Sequence, residues 1–202
     1  MFRLDYNPCV KKHEDWLETL TKTQRLALFP LLNDLVYPEQ LTKLKRNTKN
    51  IEVRVGDVFL VSNHRGVYFY GKVVRQINTR SPKFLGIDKG FVAFIFKETT
   101  AVKNLDNYKP DYSNSITGPE LFADFYWTKG YFEIIDNIPL TKEEVGLDIG
   151  FFDFEDNRGG VFVDAKGKMM DHIPQYFNIN GYVTIQGVEI ALTTSYIIDH
   201  VT

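Results

Sequence analysis

The spacing of apolar residues changes near residue 50, and this change constrains the fold more than any single motif. Upstream, Leu28, Leu32 and Leu35 recur at i, i+4 and i+7, the stripe of an amphipathic helix. Downstream, Ile51, Val53 and Val55 alternate with Glu52 and Arg54, the period of a half-buried strand. Aromatic residues follow the same divide, with 24 of the 29 Phe, Tyr and Trp residues after position 50. Beside many Val and Ile residues, they favour a pleated, half-buried surface over a helix. The expected fold is therefore α+β. Residues 1–50 form a helical segment, packed on a twisted, mainly antiparallel β-sheet or partly open barrel made by residues 51–202.

The helical segment carries its own start signals. Trp16, Leu17 and Leu20 share a helical face, and Thr21 and Gln24 have the spacing of a capping box. Pro30 lies within the leucine stripe and predicts a kink or a new start. Pro38 suits the first position of a further helix with Leu41 and Leu44 on its apolar side, ending at Lys43–Asn47. In the β-rich part, Gly56-Asp57 reads as a bulge or bend before Val58–Val61, and Asn63–Gly66 as a turn into a returning strand, Val67–Ile77. Phe91–Phe96 is continuously apolar, as a central strand is. Thr117 and Glu120 predict a short capped helix through Leu121, Phe122 and Phe125. Tyr131–Ile135, Gly150–Phe154, Gly160–Asp164 and Tyr182–Leu192 read as further strands.

A chain of 202 residues with 44% hydrophobic and 25% charged residues can bury a core, which excludes a disordered class. No apolar run approaches the ~18 residues of a membrane span, and the N-terminus lacks a signal-peptide core. Lone Cys9 excludes an intramolecular disulfide framework. A cytoplasmic protein without membrane contact is the expectation. The net charge of −2 argues against generic nucleic-acid binding.

Local motifs for chemistry are scarce. His13, His64, His172 and His200 form neither His-Glu-x-x-His nor a Cys/His cluster, and no phosphate loop or nucleophile elbow occurs. No metal, cofactor or catalytic residue is therefore expected. Lys89–Phe96 resembles an RNA-binding aromatic strand, but its alternation runs out of phase, and burial of Phe91, Phe94 and Phe96 would end that reading. Asp153–Asp164 has oxygen ligands at calcium-loop spacing, but Arg158 stands where the loop requires glycine. Its Asn157–Gly160 reads better as a turn between two strands.

Charge is distributed unevenly. Residues 1–50 and 51–130 each carry a net +3, and residues 131–202 a net −8. The acidic residues concentrate in Glu143, Glu144, Asp148, Asp153, Glu155 and Asp156, interleaved with Phe151 and Phe152. Thr141 and Glu144 have capping-box spacing, so part of the cluster also has a local structural use. Carboxylates beside aromatics are what a surface aimed at a basic protein needs: charge steers association, and desolvated rings anchor it. These eight residues are the expected partner-binding set. The alternative is an enzyme that uses dispersed carboxylates on a small polar substrate in a β-barrel cleft.

Arg54–Val61, a short polar turn and Tyr68–Val74 together resemble the opening hairpin of the Immunity protein 26 family. Trp127–Ile135 with Ile138-Pro139-Leu140 resembles its middle strand, and Gly150-Phe151-Phe152 with Gly160–Asp164 its closing hairpin. The resemblance spans about residues 52–192. It implies a bacterial polymorphic-toxin immunity protein that binds and neutralises a cognate toxin domain in the producing cell. It implies no catalytic residues, and it leaves the N-terminal helices outside the pattern.

Overall fold

The computed structural model describes residues 2–46, 51–64, 66–77, 90–155, 159–180 and 183–201. Its elements are α1 (Pro8–Thr19), α2 (Lys22–Leu32), β1 (Asp57–His64), β2 (Val67–Ile77), β3 (Gly90–Thr100), β4 (Glu120–Ala123), α3 (Phe125–Thr128), β5 (Glu133–Asn137), α4 (Lys142–Val145), β6 (Ile149–Glu155), β7 (Gly159–Val163), β8 (Tyr176–Ile179) and α5 (Ile185–His200). The strands form a five-stranded antiparallel sheet, β4-β3-β2-β1-β5, and a three-stranded sheet, β7-β6-β8, in which only β6 and β8 run parallel. The fold is α+β, and no closed barrel forms among the described residues.

The large sheet is buried on both faces, which explains its continuous apolar runs. Val58, Leu60, Tyr70, Val92, Phe94 and Phe96 share one core with Ile149, Phe151, Val161 and Val163 of the small sheet. The alternate residues Phe59, Val61, Phe69, Phe91, Ala93 and Ile95 enter a second core with Phe122, Tyr126, Trp127, Phe132 and α5 residues Val188 and Leu192. Phe59 stacks on Phe132 with centroids 4.6 Å apart and meets Trp127 edge-on at 5.4 Å. Gly71 is a packing glycine, since a Cβ there would run into the Phe59 ring. Gly56, with φ +92°, makes the turn into β1 that a side chain would strain.

Two of the three expected Thr-led capping boxes, Thr21/Gln24 and Thr141/Glu144, form as spaced. β2 has the expected bounds, Val67–Ile77, and β1 contains the expected Val58–Val61 but runs on through Asn63 and His64, the first half of the expected turn; Pro30 sits inside α2. Helix α1 begins at an unforeseen signal, Asn7 capping Cys9 N and Val10 N ahead of Pro8.

Several expectations are corrected. The expected strand Tyr182–Leu192 does not form over its described residues, 183–192: α5 starts at Ile185, capped by the Thr184 side chain on Gly187 N, and buries Val188, Leu192 and Ser195 at helical spacing; Tyr182 lies outside the described residues. Its β-branched composition imitates a strand, but the burial period is helical. Thr117–Glu120 opens no helix. Glu120 instead starts edge strand β4, opposite Ala93, and α3 begins only at Phe125. Pro38 starts no helix, because tertiary partners take the amides that follow: Thr42 N donates to Ser62 O at 2.7 Å and Leu44 N to Gly130 O at 2.8 Å. Ile51–Val55 belongs to no sheet, although Val53 is buried. In α2 the buried pair is Leu28 and Leu31, not Leu28 and Leu32, and Leu35 lies beyond the helix. Strand β8 escaped the alternation test, because only four residues form it.

Candidate functional site

The acidic cluster divides into a surface part and an interior part. Glu143 is exposed at the start of α4, and its own backbone amide and the Thr141 hydroxyl hold its carboxyl below the ordinary glutamate range. Asp148 and Asp171 converge on His172: Nε2 lies 3.1 Å from an Asp148 oxygen and Nδ1 lies 3.0 Å from Asp171. Asp148 also accepts from Gln175 N at 3.0 Å, which ties the approach to β8 onto the start of β6. Hydrogen bonds from the imidazole to Asp171 and then Asp148 raise the His172 pKa above its usual value. Asp153 is half-buried on β6. The side chain of Glu155, and Asp156 altogether, lie outside the described residues.

Glu144, Phe151 and Phe152 are withdrawn from the surface. Phe151 packs between the two sheets, whereas Phe152 points the other way against Phe162, with centroids 5.1 Å apart. Adjacent residues on a strand face opposite sides, and β6 is covered on both. Glu144 is buried against Lys72 of β2, whose Nζ donates to both carboxylate oxygens at 2.8 and 2.9 Å. Tyr112 Oη donates to Oε1 at 2.5 Å and Thr141 N to Oε2 at 2.8 Å. Burial disfavours ionisation of Glu144, but the Lys72, Tyr112 and Thr141 bonds outweigh it and keep the carboxyl below the ordinary range. The Arg75 guanidinium, also on β2, donates to the carbonyls of Glu144 and Val145 and holds the end of α4. The lone Lys72 inside an apolar strand was the available signal for this network, since a lysine there requires a carboxylate partner.

A cleft of about 760 Å³ lies between α1, the 112–120 segment, β8 and α5. Glu120 lines it, accepting from Asn178 Nδ2 at 2.7 Å. Burial pushes the Glu120 carboxyl up to about 8, with only partial relief from Asn178 and Lys12. Burial likewise pushes the Cys9 thiol up to about 11, which leaves it a poor nucleophile at neutral pH. Lys12 Nζ sits 4.9 Å above the Phe177 ring. A carboxyl raised in the folded state stabilises below its unfolded pKa and loses that contribution as pH rises through the folded value. Stability referred to Glu120 therefore falls between the ordinary glutamate range and about pH 8. Denaturation of wild type and Glu120→Gln from about pH 5 to about pH 9, a range that spans that fall, should show the variant gaining relative stability as pH rises. A constant difference across that window would refute the raised carboxyl.

Phe91, Phe94 and Phe96 are fully buried, so β3 offers no base-stacking platform. Among the described residues, no group of three or more His, Cys, Asp or Glu is placed to hold a metal ion, and no helix is long and apolar enough to cross a membrane. Asp153–Glu155 and Gly159–Gly160 lie in the antiparallel pair β6–β7, in which Phe151 pairs with Val163; residues 156–158, with most of the expected turn, lie outside the described residues.

No curated protein sequence and no solved structure matches this chain. The family model for Immunity protein 26 matches residues 54–159, a little over half of the chain. That span holds the whole five-stranded sheet, the Lys72–Glu144 network, α4 and β6, and leaves α1, α2, β8 and α5 outside. With this sheet and its α4 brace lying within the matched span, the chain belongs to the Immunity protein 26 family.

Proposed function

We propose that this chain is a cytoplasmic immunity protein of a bacterial polymorphic toxin system, which binds a cognate toxin domain and neutralises it by occluding its active surface. Family membership over residues 54–159 is the observation that carries this reading. The net −8 of residues 131–202 supports a basic target, such as a nuclease whose phosphate-binding cleft attracts carboxylates. Among the described residues, Glu143, Asp148 and Asp153 are the members of the expected set with exposed or half-buried side chains, and Asp171 joins them. Glu144, Phe151 and Phe152 support that surface from within. The function requires no cofactor.

The test is growth rescue by co-expression with the toxin domain encoded next to it, followed by titration calorimetry on the purified pair. Rescue with near-stoichiometric binding is the expected result. An active toxin that is neither rescued nor bound would reject the pairing. The competing enzyme reading draws on the Glu120 cleft, where Asp199 is the other lining carboxylate. It predicts a turnover whose pH–rate profile shifts in Glu120→Gln.

A further inference from the structure

The cleft between α1, the 112–120 segment, β8 and α5 gathers polar groups that the fold leaves unmet. Glu120 Oε1 accepts from Asn178 Nδ2 at 2.7 Å, but among the described residues Oε2 has no hydrogen-bond or ion-pair partner. Thr117 and Ser195 also line the cleft, each only 6% exposed, and neither hydroxyl has a partner among the described residues. An interior polar group in this state is destabilising until something bound in the cleft meets it. Helices α1 and α5 and strand β8 lie outside the family-matched span, so the cleft is not part of what the family model describes.

The walls favour a flat cation. Trp16, Tyr176 and Phe177 line the cleft, and the Phe177 ring already carries one cation, Lys12 Nζ at 4.9 Å, which also donates to the Phe177 carbonyl at 3.5 Å. On α5, Gly187, Ala191 and Ser195 recur at i, i+4 and i+8, so that wall presents short side chains and leaves room. The charges around Glu120 come from several elements. Lys12 and Cys9 face it from α1 and Tyr126 from α3, while Lys97, Asp199 and His13 line the same cleft. Burial keeps Cys9 and Tyr126 protonated through neutral pH.

We propose that this cleft is a guanidinium pocket that takes an arginine side chain of the toxin, the source of that arginine resting on the immunity reading above. Glu120, Thr117 and Ser195 offer acceptors without partners, and a guanidinium presents five donors in one plane whose face stacks on aromatic rings. Arginine is also enriched among the anchors of protein interfaces. The group stays charged at every pH a protein tolerates, so the pH dependence of its binding reports the pocket alone. With the Glu120 carboxyl at about 8, the incoming cation displaces a proton. Affinity should therefore rise by roughly tenfold per pH unit below that value and level off above it.

The test is calorimetric titration of the full chain with Nα-acetyl-L-arginine amide and with its lysine and uncharged citrulline counterparts. The proteins are wild type, Glu120→Gln, His13→Gln and Thr117→Val/Ser195→Ala, and toxin binding is measured on the same set. The arginine probe should bind wild type roughly tenfold or more tightly than either counterpart. Glu120→Gln should weaken the probe and the toxin by roughly tenfold or more and abolish the pH slope, which His13→Gln keeps. If Glu120→Gln fails to fold, the hydroxyl variant decides, because it loses no hydrogen bond of the fold and should still weaken the probe. An arginine probe that does not bind, a citrulline probe that binds equally, or a slope that survives Glu120→Gln overturns the proposal. So does toxin affinity unchanged in folded Glu120→Gln, an outcome that leaves the immunity reading intact where wild type rescues growth. A wild type that takes the arginine probe but neither binds nor inhibits the toxin removes that reading, and with it the toxin as the source of the arginine.

Discussion

Lys72→Met is expected to lower the unfolding free energy by about 3–5 kcal/mol, the cost of leaving a buried charge without its partner. For a chain of this size that corresponds to a fall in Tm of roughly 6–20 °C. The variant leaves Glu144 buried with Tyr112 and Thr141 as its remaining donors. The pH dependence separates this mechanism from simple loss of packing. In wild type the depressed Glu144 pKa contributes stability above the unfolded glutamate value, and that contribution is lost as pH falls through the folded one. In Lys72→Met, burial without the lysine raises the Glu144 pKa, so acid relieves the defect instead. Urea denaturation from neutral to acid pH should therefore bring the two proteins together. A Lys72→Met/Glu144→Leu pair should recover much of the loss, because an apolar pair removes both desolvation costs. A single variant within about 1 kcal/mol of wild type would mean that water reaches the pair.

Reversing Glu143, Asp153 and Asp171 to lysine should slow association with a basic toxin by roughly 10- to 1000-fold at low salt, and flatten the salt dependence of the rate. Dissociation should change less, since exposed charges act mainly on encounter. Glu144 is left in place because it is buried, and Asp148 because it also accepts from Gln175 N and so ties the approach to β8 onto β6. Stopped-flow binding at several ionic strengths makes the measurement, with thermal unfolding confirming that the variant is folded. An unchanged rate at low salt would take these carboxylates out of the encounter surface. Growth rescue retained in that variant would leave the immunity reading standing with a different interface.

The two outcomes bear on different levels of the molecule, because the acidic cluster has two roles. Glu143 and Glu144 are neighbours in sequence and opposites in environment: one faces water, and the other closes a buried ion pair with a lysine 72 positions upstream. Linear spacing identifies a cluster of carboxylates but not which of them is desolvated, since the strand that supplies Lys72 comes from elsewhere in the chain. The same limit applies to Phe151 and Phe152. Alternation along β6 puts them on opposite faces, and only the second sheet on one side and the packing against Phe162 on the other determine that both are buried. The Glu120 cleft joins α1, β4, β8 and α5 from distant parts of the chain, so no local motif announces it.

The sequence by itself determined the α+β class, the strands β1 and β2, the capping boxes at Thr21 and Thr141 and the family, because periodicity, cap spacing and family motifs are properties of residue order alone. Propensity, alternation and capping are local energies, and they survive into the fold wherever no long-range partner competes. Tertiary structure decided the rest. It drew Thr42 and Leu44 into contacts with Ser62 and Gly130 instead of a helix, paired Glu120 with β3, and turned a β-branched tail into α5 against the aromatic core. In each case the distant partner offered burial or a hydrogen bond that outweighed a local preference of order 1 kcal/mol per residue.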